Sequence, residues 1–213
     1  MLQRETSEQG VVYYYSPLLR AAGVPHAFST RIGGVSKPPF DSLNLGNPNG
    51  YEQQDPLENV AANYHLLQQA AGCGKQNLVR VHQVHGCSVV QVQQAKGFTF
   101  DTKADGLLTA DPMACLSVRV ADCVPVLLAC DDGRWVGAVH AGWRGVVSGV
   151  VTAALEKLIS AGGICSSQVV AAIGPAISLS AFEVGDEVAG AFVNAFGDQA
   201  PVHRENHQKA HVD

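Results

Sequence analysis

With 213 residues, 46% of them hydrophobic, the chain is long enough for one sizeable core and too short for two. A net charge of −5, a pI near 5.9 and the lack of any lysine or arginine run exclude a phosphate-backbone footprint for nucleic acid. No apolar stretch reaches the length of a membrane span, and residues 1–10 are polar and mixed in charge, so a cytoplasmic protein with six reduced cysteines is expected.

In chain order, residues 11–15 and 26–29 read as strands, and residues 33–49, rich in Gly, Pro and Asn, form a loop too long to be a mere connection. Asp55 as N-cap, Pro56 at the first position and Gly72 as a stop predict a helix over 56–71. Strand signals follow at 78–82, 88–92, 106–108, 115–120 and 124–130. Asp131-Asp132-Gly133 then gives a hairpin-type turn into a strand over 135–139. Residues 146–159 carry apolar side chains at helical spacing and are stopped by Gly162-Gly163. A strand over 168–173 and a helix over 183–196 complete the pattern. No repeat, low-complexity segment or linker interrupts it. Runs of strands punctuated by a few helices predict a single α+β domain over 1–213 with mixed sheets.

The segment Val139-His140-Ala141-Gly142-Trp143-Arg144-Gly145 joins a buried strand to a helix through a glycine-flanked cationic turn. The glycines allow a sharp turn and leave N–H groups free at the helix start beside Arg144, a combination suited to an anion. Cys123 lies seventeen residues before His140, and His85 thirty-eight before that. One thiolate and two imidazoles form a three-ligand set for zinc with a fourth position open to water. The ordinary alternative is Cys123 as a small buried hydrophobe and the histidines as core or surface residues.

Other candidates carry weaker signals. His82 and His85, three apart on an extended strand, would face opposite sides, so only one reaches a metal. Cys115 and Cys130 read as core residues. His203, His207 and His211 at i, i+4 spacing fit either a helical metal stripe or, better, a solvated face. Asp122, and with less support Asp105, suit acid/base work or a hydrogen bond to a ligand histidine, against turn or cap chemistry. Arg31 and Arg144, both in glycine-rich turns, suit phosphate, against structural ion pairs.

The motifs together resemble the bacterial laccase-domain family. They are Phe28-Ser29-Thr30-Arg31, Gly33-Gly34-Val35-Ser36, Ser42-Leu43-Asn44-Leu45-Gly46, Gln83-Val84-His85-Gly86 and Ala104-Asp105-Gly106 with Thr109. In the same order follow Ala121-Asp122-Cys123-Val124-Pro125, the His140 segment, Gly174-Pro175-Ala176-Ile177 and Phe182-Glu183-Val184-Gly185. That family was labelled multicopper polyphenol oxidases, then recast as zinc-dependent purine nucleoside phosphorylases and also named as peptidoglycan editing factors. The resemblance implies mixed sheets packed together with helices outside, related to cysteine-hydrolase-like toxin domains. It implies zinc, or copper (Cu2+) under the older label, held by His85, Cys123 and His140.

The activity so implied is phosphorolysis of adenosine, inosine and methylthioadenosine and hydrolytic deamination of adenosine. Small-molecule partners follow, a purine nucleoside and phosphate. In this reading His85, Cys123, His140 and Asp122 form the catalytic set, and Arg31, Asn44 and Arg144 bind substrate and phosphate. The competing readings are a copper oxidase of phenols, metal-free hydrolysis by Cys123 with His140 or His85 as base, and editing of cell-wall precursors. Multicopper oxidation requires several copper centres with many histidines, whereas only His85 and His140 belong to the motifs. Family members usually continue past the point matching Asp213 with a helix and a segment bearing a cysteine and an arginine-rich stretch. Contacts from such a segment are not expected here. The sequence carries no signal for the number of subunits.

Overall fold

The computed structural model describes residues 1–47, 50, 52–204 and 209–213. Strands β1 (Gln3–Thr6) and β2 (Val12–Tyr15) pair antiparallel, and β3 (Phe28–Ser29) adds to β2. Between them, α1 (Pro17–Ala21) starts where the Ser16 hydroxyl accepts the Leu19 N–H and Pro17 occupies the first turn.

After the long loop, α2 (Leu57–Ala70) begins one residue later than expected. Pro56 is its cap, and Asp55 makes no cap hydrogen bond. Asp55 is instead buried and accepts from Ser36 Oγ at 2.5 Å, Asn44 Nδ2 at 2.9 Å and Asn59 Nδ2 at 3.0 Å. The competing principle is burial: a carboxylate inside the loop's polar network collects donors from both sides of the helix start.

The strands that follow are β4 (Asn77–Val79), β5 (Val89–Val92), β6 (Gly106–Thr109), β7 (Ala114–Leu116), β8 (Val124–Cys130) and β9 (Val136–Ala141). The expected strands over 78–82 and 115–120 shorten to β4 and β7, which pair with each other in parallel; beyond β4, His82 makes only an isolated bridge to Lys103. The helix expected over 146–159 is two helices, α3 (Trp143–Val147) and α4 (Val150–Gly162). Gly149, at φ +78°, turns the chain between them in a conformation that L side chains rarely adopt.

Strand β10 (Val169–Ile173) completes a five-stranded sheet of order β10-β8-β9-β6-β5, in which β5 and β6 are parallel and the other neighbours antiparallel. Alternation along β8 divides its side chains between two layers. Val126, Leu128 and Cys130 pack with Leu108 and Val139 against Val150, Ala154 and Leu158, one stripe of α4. Leu127 and Ala129 face Leu19, Phe28 and Ala172 on the opposite side.

The helix expected over 183–196 opens as a strand, β11 (Glu183–Val184), and continues after Gly185 as α5 (Asp186–Phe196). The last strands are β12 (Val202–His203) and β13 (Ala210–Val212), in a sheet of order β11-β13-β12. His203 and His211 therefore lie opposite each other on two strands and not along a helix, and His207 lies outside the described residues. Arg204 and Lys209 pair with Asp186 and Glu183 on an exposed surface. The architecture is mixed α/β, with several sheets and few helices. Among the described residues no helix is long and apolar enough to cross a membrane.

Candidate active site

Register brings the candidate residues to one end of the central sheet. Asp105 immediately precedes β6, Cys123 immediately precedes β8, and His140 is the penultimate residue of β9, paired with Pro125 and donating its N–H to the Asp105 carbonyl at 2.7 Å. Because β6 and β8 both run antiparallel to β9, their beginnings coincide with its end. His85 reaches the same point from the turn that leads into β5. One ligand atom from each of His85, Cys123 and His140 lies within 4.8 Å of the others. The two imidazoles meet edge to face, with ring centroids 4.7 Å apart at 85°.

Asp105 holds this arrangement. Fully buried, its carboxylate accepts the Nδ1–H of His140 at 2.8 Å and the backbone N–H groups of Val84, His85 and Gly86 at 3.3, 2.9 and 2.7 Å. Bonding at Nδ1 leaves His140 Nε2 as the free ligand atom. The three backbone bonds hold His85 at φ +58°, the one non-glycine left-handed residue among those described. Such a conformation persists where neighbours over-determine it, as at a binding site. Close approach also dictates Gly142: a Cβ there would stand 2.9 Å from His85 Cδ2 and 3.2 Å from Cys123 Sγ.

The electrostatics suit a cation. Burial, reinforced by the charges of Asp122 and Asp105, pushes the Cys123 thiol up. Burial likewise lowers His140; the His85 charge adds to that effect and the Asp105 hydrogen bond opposes it. A divalent ion among these atoms would reverse the thiol's preference, since a coordinating thiol gives up its proton. Two imidazole nitrogens and one sulfur are a donor set for zinc with an open position, so the residues present fit the implied metal.

His85, Cys123 and His140 open on a cleft of about 1900 Å³ whose wall includes Arg31, Asn44, His82, Gln83, Arg119 and Asp122. Asp122 is exposed beside Cys123, and the hydrogen bond to a ligand histidine expected of it belongs to Asp105. Arg31 is clasped by Asp41, through Nη2 to Oδ2 at 2.6 Å and Nε to the carbonyl at 3.2 Å. Asn44 engages both ends of its side chain, donating to Asp55 and accepting the Gly46 N–H at 3.2 Å.

Arg144 is not brought to the cleft wall. Its guanidinium sits 4.2 Å from the centroid of the Trp143 ring, and α3 is only five residues long, too short for an appreciable helix dipole. Arg144 is exposed and stands apart from the residues that line the cleft. His82, exposed and edge-on to Phe100 at 6.2 Å, stays away from the ligand cluster. It lies in no strand, and His85 sits in a turn, so the opposite-face argument does not apply to this pair. All six cysteines are free, with Cys130 buried and Cys115 partly so.

Three residues escaped the sequence reading or were undervalued: Asp105, Gln83 and Arg119. The Gln83 amide bonds both ways to the Arg119 backbone, accepting its N–H and donating to its C=O, each at 2.8 Å. The family motifs around Asp105 and Gln83 were the available signal; the cross-chain pairing that engages Arg119 had none.

The sequence model of the family described as multi-copper polyphenol oxidoreductase laccase matches residues 25–213. The chain belongs to this family. Among curated relatives, a purine nucleoside phosphorylase of Deinococcus radiodurans is 39% identical over 199 residues, 92% of this chain and 74% of that protein. The purine nucleoside phosphorylase YfiH of Escherichia coli K12 is 42% identical over 172 residues, 80% of this chain and 66% of that protein. A Mycobacterium tuberculosis relative, also named as a purine nucleoside phosphorylase, is 44% identical over 167 residues, which is 76% of this chain and 64% of its own length. The laccase-family chain thus spans about two thirds to three quarters of the length of these relatives. YlmD from Geobacillus stearothermophilus superposes with a TM-score of 0.82 at 27% identity, covering 99% of this chain and 79% of that one. A Neisseria meningitidis protein gives 0.74 at 30%, covering 100% and 78%.

Proposed function

We propose that the chain is a cytoplasmic zinc-dependent purine nucleoside enzyme. It cleaves adenosine, inosine and methylthioadenosine with phosphate, and it deaminates adenosine by hydrolysis. The observation that carries this reading is the open His85, Cys123 and His140 cluster on a wide cleft, in a chain whose relatives bear the phosphorylase name. His85, Cys123 and His140 would hold the ion, which when bound supplies Lewis-acid chemistry at its open position.

The remaining roles fall to the chain. Asp105 fixes the His140 tautomer and the His85 turn, which holds the ligand atoms near one another before an ion binds. Asp122, exposed on the wall beside Cys123, is the carboxylate placed to relay a proton. In phosphorolysis the bond from purine nitrogen to the anomeric carbon breaks as a phosphate oxygen bonds to that carbon, so the cleft must hold a neutral nucleoside and an anion side by side. In deamination a water oxygen joins purine C6 and ammonia leaves. Arg31 and Asn44, engaged with Asp41 and Asp55, shape the wall where the nucleoside rests.

Two alternatives fare worse on specific observations. Among the described residues a single three-ligand group is formed, whereas multicopper oxidation requires several centres. The raised Cys123 thiol disfavours a metal-free cysteine nucleophile. The test is metal analysis of purified protein together with adenosine turnover with and without phosphate. About one zinc per chain is expected, with adenine formed only when phosphate is present and ammonia released without it. Zinc-loaded protein that turns over neither sinks the reading, and an assay on nucleotide-linked wall precursors then addresses the editing alternative.

A further inference from the structure

We propose that Arg119 is the anchor for the phosphate oxygens of the co-substrate, with Gln83 as the residue that positions it. The proposal rests on the phosphorylase reading above and deepens it.

Four observations converge on Arg119. First, its backbone is held at both polar groups by the one Gln83 amide, at 2.8 Å each. Gln83 stands two residues before His85, whose own backbone is bound by Asp105. A continuous set of hydrogen bonds and short chain links therefore ties Arg119 to the ligand cluster. From the other direction Arg119 is four residues before Cys123, which limits their Cα separation to roughly 14 Å.

Second, the Arg119 side chain crosses directly over Gly46. A Cβ at position 46 would lie 1.8 Å from Nη1 and 2.9 Å from Cζ, so the guanidinium packs directly on this glycine in that part of the wall. Third, no carboxylate among the described residues forms an ion pair with Arg119, while Arg31, the other arginine on the wall near the loop, is neutralised by Asp41. Fourth, Arg144, the cation expected at the turn after β9, stacks on Trp143 and does not line the cleft.

The chemistry selects the ligand. A guanidinium offers planar paired N–H donors that match two phosphate oxygens, and its charge has no counterpart on a neutral nucleoside. Within the proposed reaction, phosphate is the anionic participant. The phosphoryl group of a nucleotide offers the same oxygens, and the experiment separates the two sources.

Steady-state cleavage of adenosine is measured against inorganic phosphate in zinc-loaded wild type, Arg119→Ala, Arg119→Lys, Gln83→Leu and Arg144→Ala. Inorganic phosphate is also titrated calorimetrically into the same proteins, and zinc content is checked in each. Arg119→Ala should raise KM for phosphate tenfold or more and move KM for adenosine less than threefold. Arg119→Lys should recover part of that loss, because it keeps the charge but not the fork. Gln83→Leu should shift the phosphate KM in the same direction by a smaller factor. In calorimetry, phosphate binding should be present in wild type and lost in Arg119→Ala. Adenosine monophosphate replacing adenosine, at the same inorganic phosphate concentration, should be a poorer substrate; a preference for it that Arg119→Ala removes would mean that the arginine reads a nucleotide and overturn the co-substrate assignment. An unchanged phosphate KM in Arg119→Ala, a wild type that binds no phosphate, or a rise carried by Arg144→Ala instead would each overturn the proposal. Phosphate binding that depends on Arg119 in a protein that cleaves no nucleoside would uphold the anion site and remove the phosphorylase reading alone.

Discussion

Two buried carboxylates organise two polar networks in this molecule, and the networks end differently. Asp55 gathers Ser36, Asn44 and Asn59, and Asn63 closes the same loop by donating to Ser36 Oγ and the Asn44 carbonyl. Its donors and acceptors satisfy one another. Asp105 gathers three backbone N–H groups and His140, yet the atoms it orients, His140 Nε2 and the imidazole of His85, remain free toward Cys123. Both segments carry family motifs and both hold a buried acid. What separates a structural hub from a site is whether the atoms positioned by the acid have partners of their own.

Substitutions at the two hubs turn this contrast into measurements. The largest effect is expected from Cys123→Ala, which leaves two histidine ligands: bound zinc should fall to background in metal analysis and both reactions of adenosine should vanish. Retained zinc with activity would show that the cluster is not the metal centre. Asp105→Asn comes next. It should weaken zinc on the order of 10- to 100-fold in a chelator competition, because the His140 tautomer and the His85 turn lose their anchor. Asp55→Ala should do the opposite, lowering stability by about 2–4 kcal/mol in urea unfolding through orphaned buried donors while zinc affinity moves less than threefold. If the two acids exchange these phenotypes, the distinction fails.

A smaller, pH-dependent effect sharpens the same point. Burial pushes the Asp55 carboxyl up, but hydrogen bonds from Ser36, Asn59 and Asn44 outweigh it and hold the group below its ordinary value. A folded-state pKa below the unfolded one gives stability that is fully present above the unfolded value, near 4, and is lost as pH falls through the folded value. The urea-midpoint gap between wild type and Asp55→Asn, both metal-free, should therefore narrow below about pH 4; a gap constant to pH 3 would contradict the network. The smallest effect is expected at Arg31→Ala. Its pair with Asp41 is exposed on both sides, and its removal should cost about 0.5 kcal/mol or less in the same unfolding assay.

The parts of the fold legible in the sequence were those decided by local pattern. Strand β8 matched residue for residue because a seven-residue apolar run ends in a turn sequence, and the Asp131-Asp132-Gly133 turn announced its antiparallel partner. Strand β11 was read as helix because two residues acquire strand character only from Ala210 and His211, far along the chain. The break at Gly149 was lost because one glycine in a helical pattern lowers stability by only about 1 kcal/mol and so marks no end by itself. The candidate ligand residues are legible through the resemblance, since spacings of seventeen and thirty-eight residues leave an ordinary core reading open. The sequence favours Asp122 over Asp105 for acid/base work or a hydrogen bond to a ligand histidine; the hydrogen bond falls to Asp105, because β6 delivers it alongside β9 while Asp122 is exposed. The Gln83 and Arg119 pairing spans thirty-six residues and left no local trace.

The placement of the ligand atoms at the meeting ends of β6, β8 and β9 also makes the site a latch on the completed sheet. During synthesis His85 and Cys123 emerge well before His140, and two separated candidate ligands in an unstructured chain would hold an ion only weakly. Tight capture of an ion would wait until β9 has inserted between β8 and β6 and Asp105 has turned the His140 ring. Metal uptake would therefore report that the central sheet has closed. An ion seated there would tie three chain segments together and deepen the native well in proportion to the logarithm of its free concentration.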